Sequence, residues 1–79
     1  MSDKRRHRRR IVDRPAKIAA AGCFIPCHIA NSSEDGAMLR FSQRGWVPEG
    51  FDLEDTFSGV RRAARIVWRG INLIGVRFR

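Results

Sequence analysis

Beyond the first dozen residues, apolar side chains recur every second position along this chain, with no sign of helical spacing. Phe51, Leu53 and Phe57 fall on one alternation, with Asp52, Glu54 and Thr56 on the other. Ile74, Val76 and Phe78 alternate in the same way with Gly75, Arg77 and Arg79. Such stretches read as strands with one face in a core and the other in water. The pattern predicts strands over 15–22, 24–30, 36–42, 51–57, 60–69 and 72–79. Turn residues separate them: Gly22 after the first, Gly45, Pro48 and Gly50 in the longest connection, Ser58-Gly59 after the fourth, and Arg69-Gly70-Ile71-Asn72 after the fifth. Short strands with frequent turn signals favour an antiparallel barrel or sandwich, and closure removes exposed edges. Trp46, in an otherwise polar connection, is expected to cap a barrel mouth. Trp68 is expected to be a barrel residue.

Seventy-nine residues make one small domain. A core of this size buries only about 60% of its unfolded surface, which leaves little room for a deep catalytic cleft. The charge is unevenly placed. Within residues 1–14, Lys4, Arg5, Arg6, Arg8, Arg9, Arg10 and Arg14 oppose Asp3 and Asp13, so this stretch holds a net +5 of the chain's +8. The reading is therefore a flexible basic arm over 1–14 followed by a barrel over 15–79. Such an arm suits a nucleotide, a nucleic-acid backbone or an acidic membrane surface, and charge alone does not choose among them. Arg61, Arg62, Arg65, Arg69, Arg77 and Arg79 add a second basic region in the last hairpin.

Several functions have no residues to support them. No apolar run approaches the roughly 20 residues of a membrane span, and the arginine run is not followed by a signal-peptide pattern, so a cytoplasmic location is expected. Cys23, Cys27 and His28 lack the second ligand pair of a structural zinc site, His7 in the arm being the nearest addition, and reduced thiols are expected. There is no nucleophile-base-acid set, no carboxylate pair in a plausible cleft and no phosphate loop of the Walker type. The chain is read as a non-enzyme with no cofactor.

Two segments carry positive chemistry. The run Lys4-Arg5-Arg6-His7-Arg8-Arg9-Arg10 holds guanidinium groups, which bind phosphate in bidentate fashion and stack on bases. About twenty residues later comes the polar turn Asn31-Ser32-Ser33-Glu34-Asp35-Gly36. Guanidinium forks beside a polar turn suit a compact anion with base edges, and guanine is the natural partner of arginine. The order and spacing resemble the PilZ domains, receptors for the bacterial second messenger cyclic di-GMP, whose pattern is RxxxR followed by [DN]xSxxG. The stretch from Ala64 to Phe78 also looks like that family's closing hairpin, so the resemblance covers nearly the whole chain.

The resemblance implies a six-stranded antiparallel barrel and a short single-domain receptor that signals to a protein partner in trans. It assigns phosphate and guanine contacts to the arginines and further guanine contacts to the Asx-Ser pair. Carried onto this sequence, the ligand residues are Arg6 and Arg10, with Arg5 and Arg9 as the alternative frame, together with Asn31, Ser33 and Gly36. An Arg10 with Arg14 frame also exists, but it shortens the gap to Asn31 and puts Pro15 at the site. Ile11-Val12 directly after Arg10 favours the Arg6 frame. Ser32 departs from the family's more apolar residue. Ordering the arm on the ligand costs about 1 to 2 kcal/mol per residue of backbone entropy, which charge-assisted hydrogen bonds must offset. The alternative is a degenerate barrel of this type, without cyclic di-GMP, acting as a protein-interaction or nucleic-acid-binding module. Against nucleic acid, the strands lack a run of exposed aromatics for stacking bases.

Overall fold

The structure, a computed structural model, describes residues 10–42 and 46–79. Six strands form: β1 Arg10–Ala20, β2 Cys23–Ser32, β3 Gly36–Arg40, β4 Gly50–Asp55, β5 Arg61–Arg69 and β6 Leu73–Phe78. All pairings are antiparallel, and the order β1-β2-β3-β6-β5-β4 closes into a barrel because β1 pairs with β2 on one side and β4 on the other. Closure protects the strand edges from pairing with a second chain. β1 begins at Arg10, five residues earlier than the hydrophobic alternation predicts, so the strand takes in residues 10–14 that charge assigns to the arm.

The inward alternation explains the core. Ala16 and Ile18 from β1, Cys27 and Ile29 from β2, Ala37 and Leu39 from β3, Phe51 and Leu53 from β4, Ala64 and Ile66 from β5, and Ile74 and Val76 from β6 are all buried. Three alanines among them fit a narrow lumen, where small and large side chains must alternate to fill a tight cylinder. Three register shifts, between Ile11 and Arg14, Ile29 and Asn31, and Ile66 and Trp68, supply the extra local twist that closure needs.

The two ends of the barrel differ. At one end Phe41 and Val47, from the connection between β3 and β4, are buried against the core. The Phe41 amide donates to the Asn72 carbonyl at 2.9 Å and Arg69 donates to the Val47 carbonyl at 2.9 Å. Val47, not Trp46, provides the plug; Trp46 is 77% exposed. At the other end the hairpin turns of β2–β3 and β4–β5 surround an open mouth lined by both polar and apolar side chains. Phe57 does not continue the buried alternation either. It is 78% exposed in the β4–β5 turn, because β4 ends at Asp55.

Candidate functional site

The polar turn sits on the rim of the open mouth. Ser32 pairs with Ala37, the Ser33 amide donates to the Gly36 carbonyl at 2.8 Å, and Glu34 and Asp35 form the two-residue tip. The Ser33 hydroxyl accepts from the Asp35 amide at 3.3 Å, the local bond by which serine favours a turn. β6 braces the hairpin from the side, its Phe78 amide donating to the Asp35 carbonyl at 2.7 Å.

Gly36 is needed for a reason that the turn pattern does not reveal. Its φ lies outside the left-handed region, so conformational freedom is not the requirement. A Cβ there would stand 2.1 Å from the Val76 carbonyl oxygen and 3.3 Å from the Arg77 Cα. Glycine lets β6 come close enough to pair with the end of the turn.

Several proposed ligand residues converge. Asn31, Ser33 and Gly36 share the β2–β3 hairpin, and Asn31 pairs with Ile11 on one side and Met38 on the other. The Arg10 backbone pairs with Ser32, so the C-terminal arginine of the preferred frame is anchored beside the turn. Arg5, Arg6 and Arg9 lie outside the described residues.

Inside the rim is a cavity of about 240 Å³. Ile29 and Leu53 line it toward the core, while Arg14, Ser32, Ser33, Asp55, Ser58, Arg62 and Phe78 contribute to its walls. Asp55 is the residue that sequence reasoning misses. It continues the inward alternation of Phe51 and Leu53 and is only 7% exposed. One carboxylate oxygen accepts the Phe57 and Ser58 amides at 2.9 and 3.2 Å, and the other accepts the Arg14 guanidinium. Burial pushes the carboxyl up, but the Ser58 amide, the Arg14 guanidinium and the Phe57 amide together outweigh it and hold the group below its ordinary value. A carboxylate on the buried alternation, followed by a Ser-Gly turn, is the available signal that a cation must face it. Arg14 thus ties β1 to β4 at the barrel seam.

On the outside, Gly36 pairs with Arg77, Arg77 with Arg65, and Arg65 with Gly50, so two arginines stand directly opposite each other between glycines. The Arg79 guanidinium lies alongside, 3.9 Å from where a Cβ on Gly50 would be. Among the described residues no carboxylate pairs with Arg65, Arg77 or Arg79. Like charges directly opposed across a sheet are unfavourable, so this face is poised for an anion. Trp68 borders it. The register shift after Ile66 turns its side chain outward, where it is 44% exposed and lies flat on Gly75 instead of filling the barrel.

A family model described as the PilZ domain matches residues 3–79. The chain belongs to the PilZ family. A comparison with curated proteins finds no match. PilZ domains form a family of receptors for cyclic di-GMP. Among the described residues no three His, Cys, Asp or Glu side chains gather as a metal site, and no helix is long and apolar enough to cross a membrane. Cys27 faces the core while Cys23 is exposed, and both are free thiols.

Proposed function

We propose that this PilZ domain binds cyclic di-GMP on the outer face next to the Asn31–Gly36 turn, folds its arginine arm over the ligand and passes the signal to a partner protein. One observation carries the reading: the turn lies between the Arg10 backbone on one side and the Arg77–Arg65 row on the other. Two phosphates need positive charge, and two guanines need donors and flat surfaces. Arg6 and Arg10 supply the arm's share, with Arg5 and Arg9 as the alternative frame. Asn31 and Ser33 supply polar groups at the guanine edge, and Trp68 offers an indole face beside the basic row.

Isothermal titration with cyclic di-GMP tests this, with GTP and cyclic di-AMP as controls and the Arg6→Ala/Arg10→Ala and Ser33→Ala variants in parallel. Selective binding that disappears in the double variant and weakens in Ser33→Ala supports the receptor. No binding near micromolar concentrations would refute it and leave the basic face as a surface for an acidic protein or a nucleic acid. Limited proteolysis addresses the arm separately: cleavage within residues 1–9 should slow when ligand is present, and equal rates would sink the arm-closure step.

A further inference from the structure

β5 opens on two adjacent arginines with different neighbours. Arg61 is on the outer face, paired with Glu54 at 2.8 Å. Arg62 falls on the same alternation as the buried Ala64 and Ile66, one layer further out, where the mouth opens. Its guanidinium carbon lies 3.9 Å from the centroid of the Phe78 ring, and one of its nitrogens donates to the Glu34 carbonyl at 3.3 Å. Among the described residues no carboxylate pairs with it.

Glu34 and Asp35 are the two central residues of the turn. The Glu34 carbonyl is held by the Arg62 side chain and the Asp35 carbonyl by the Phe78 amide. Phe78 joins the two restraints, since its backbone holds one carbonyl and its ring supports the guanidinium that holds the other. A hairpin tip joined only to its own two strands would be free to rock. This one is clamped from β5 and β6 at once. The clamp needs a group that is planar enough to stack on a ring and has donors in its plane to reach a carbonyl, which describes guanidinium and not ammonium.

We propose that Arg62 is a positioning residue for the ligand turn: stacked on Phe78, it sets Ser33 and Gly36 in the geometry that the ligand meets, without itself touching the ligand. The effect on affinity rests on the receptor reading above, whereas the clamp exists in the free protein and is tested there.

Amide hydrogen exchange on the unliganded protein is the deciding measurement. In Arg62→Ala, the Ser33 and Phe78 amides should exchange about ten-fold faster, the scale expected when one hydrogen bond and one cation–π interaction are removed together. The Gly70 amide, bonded to the Leu73 carbonyl at 2.7 Å in the far hairpin, should keep its rate. Arg62→Lys should restore less than half of the protection. Phe78→Leu removes the platform and should reproduce the same local effect, with no further increase when Arg62→Ala is added. With cyclic di-GMP, Arg62→Ala should weaken binding about three- to ten-fold, in step with the faster exchange. Unchanged exchange at Ser33 and Phe78 would overturn the proposal. So would weakened binding without any change in exchange, because Arg62 would then touch the ligand itself. If the wild-type protein does not bind cyclic di-GMP, the receptor reading falls and the exchange rates still decide the clamp.

Discussion

Asp55 offers a prediction in which the two oxygens of one carboxylate can be separated. One oxygen accepts the Phe57 and Ser58 amides and shapes the β4–β5 turn; the other accepts Arg14 and ties β4 to β1 at the seam where the barrel closes. Asp55→Asn keeps an acceptor for the two amides and removes the ion pair. Because the Arg14 side chain is half exposed, that pair contributes only about 1 kcal/mol. Asp55→Ala removes the ion pair and both amide bonds, and each turn amide adds about 1 kcal/mol more, for a total of about 3 kcal/mol. For a domain of this size, 1 kcal/mol moves the melting temperature by about 4 to 8 °C, so Asp55→Asn should melt roughly 4 to 8 °C lower and Asp55→Ala well over 10 °C lower. The pH dependence has a definite sign. The native carboxyl titrates below its unfolded value of about 3.9, so its stabilisation is fully present above that value and is lost as pH falls through the native pKa. The gap between wild type and Asp55→Ala, measured by urea unfolding, should therefore be constant from about pH 5 to 8 and narrow below about pH 4. Equal melting temperatures for the two variants, or an Asp55→Ala protein within about 2 °C of wild type, would refute the assignment of separate work to the two oxygens.

Four further outcomes follow from particular positions. Gly36→Ala would press a Cβ onto the Val76 carbonyl, which cannot rotate away, and should cost at least about 1 to 3 kcal/mol in urea unfolding; a cost below about 0.5 kcal/mol would mean that β6 yields easily. Gly75→Ala places a Cβ 2.0 Å from the Trp68 indole nitrogen, so in a Trp46→Phe background the Trp68 emission should move to longer wavelength as the ring lifts off the sheet; an unchanged spectrum would contradict the stacking. Ala21 sits at φ 51° in the β1–β2 turn, and Ala21→Gly should raise stability by about 0.5 to 1 kcal/mol by removing the left-handed strain, with no gain being the contrary result. Burial pushes the Cys27 thiol up to about 12, so at pH 8 roughly one molecule in ten thousand carries that thiolate, and a thiol reagent should label Cys23 quickly and Cys27 only on unfolding.

The architecture is legible in the sequence because the alternation is strong where side chains face the lumen. It locates all six strands and misplaces their ends by a few residues. The largest shift, at β1, arises because Arg10 to Arg14 join the ladder through backbone bonds, to which a polar side-chain pattern is blind. Trp46, Phe57 and Trp68 all face out. Hydrophobicity alone puts these rings inside or over a mouth, but β4 ends at Asp55 and leaves Phe57 in a turn, while the register shift after Ile66 turns Trp68 outward. The candidate turn is recognisable from residue types and spacing. Its bracing is not, because Asp35 meets Phe78, Glu34 meets Arg62, and Gly36 meets Val76 across long stretches of intervening chain that no local motif spans.

Barrel closure also has a kinetic consequence. The Asn31–Gly36 turn is stapled by β1 on one side and by the last residues of β6 on the other, so its final shape exists only after segments from both extremes of the fold have found each other. Pairings so distant in sequence carry the loop-closure entropy that slows β-proteins to milliseconds or longer. The candidate turn is therefore among the last features to consolidate. A ligand that recognises it stabilises interactions absent from the transition state, and should slow unfolding while leaving the rate of refolding nearly untouched.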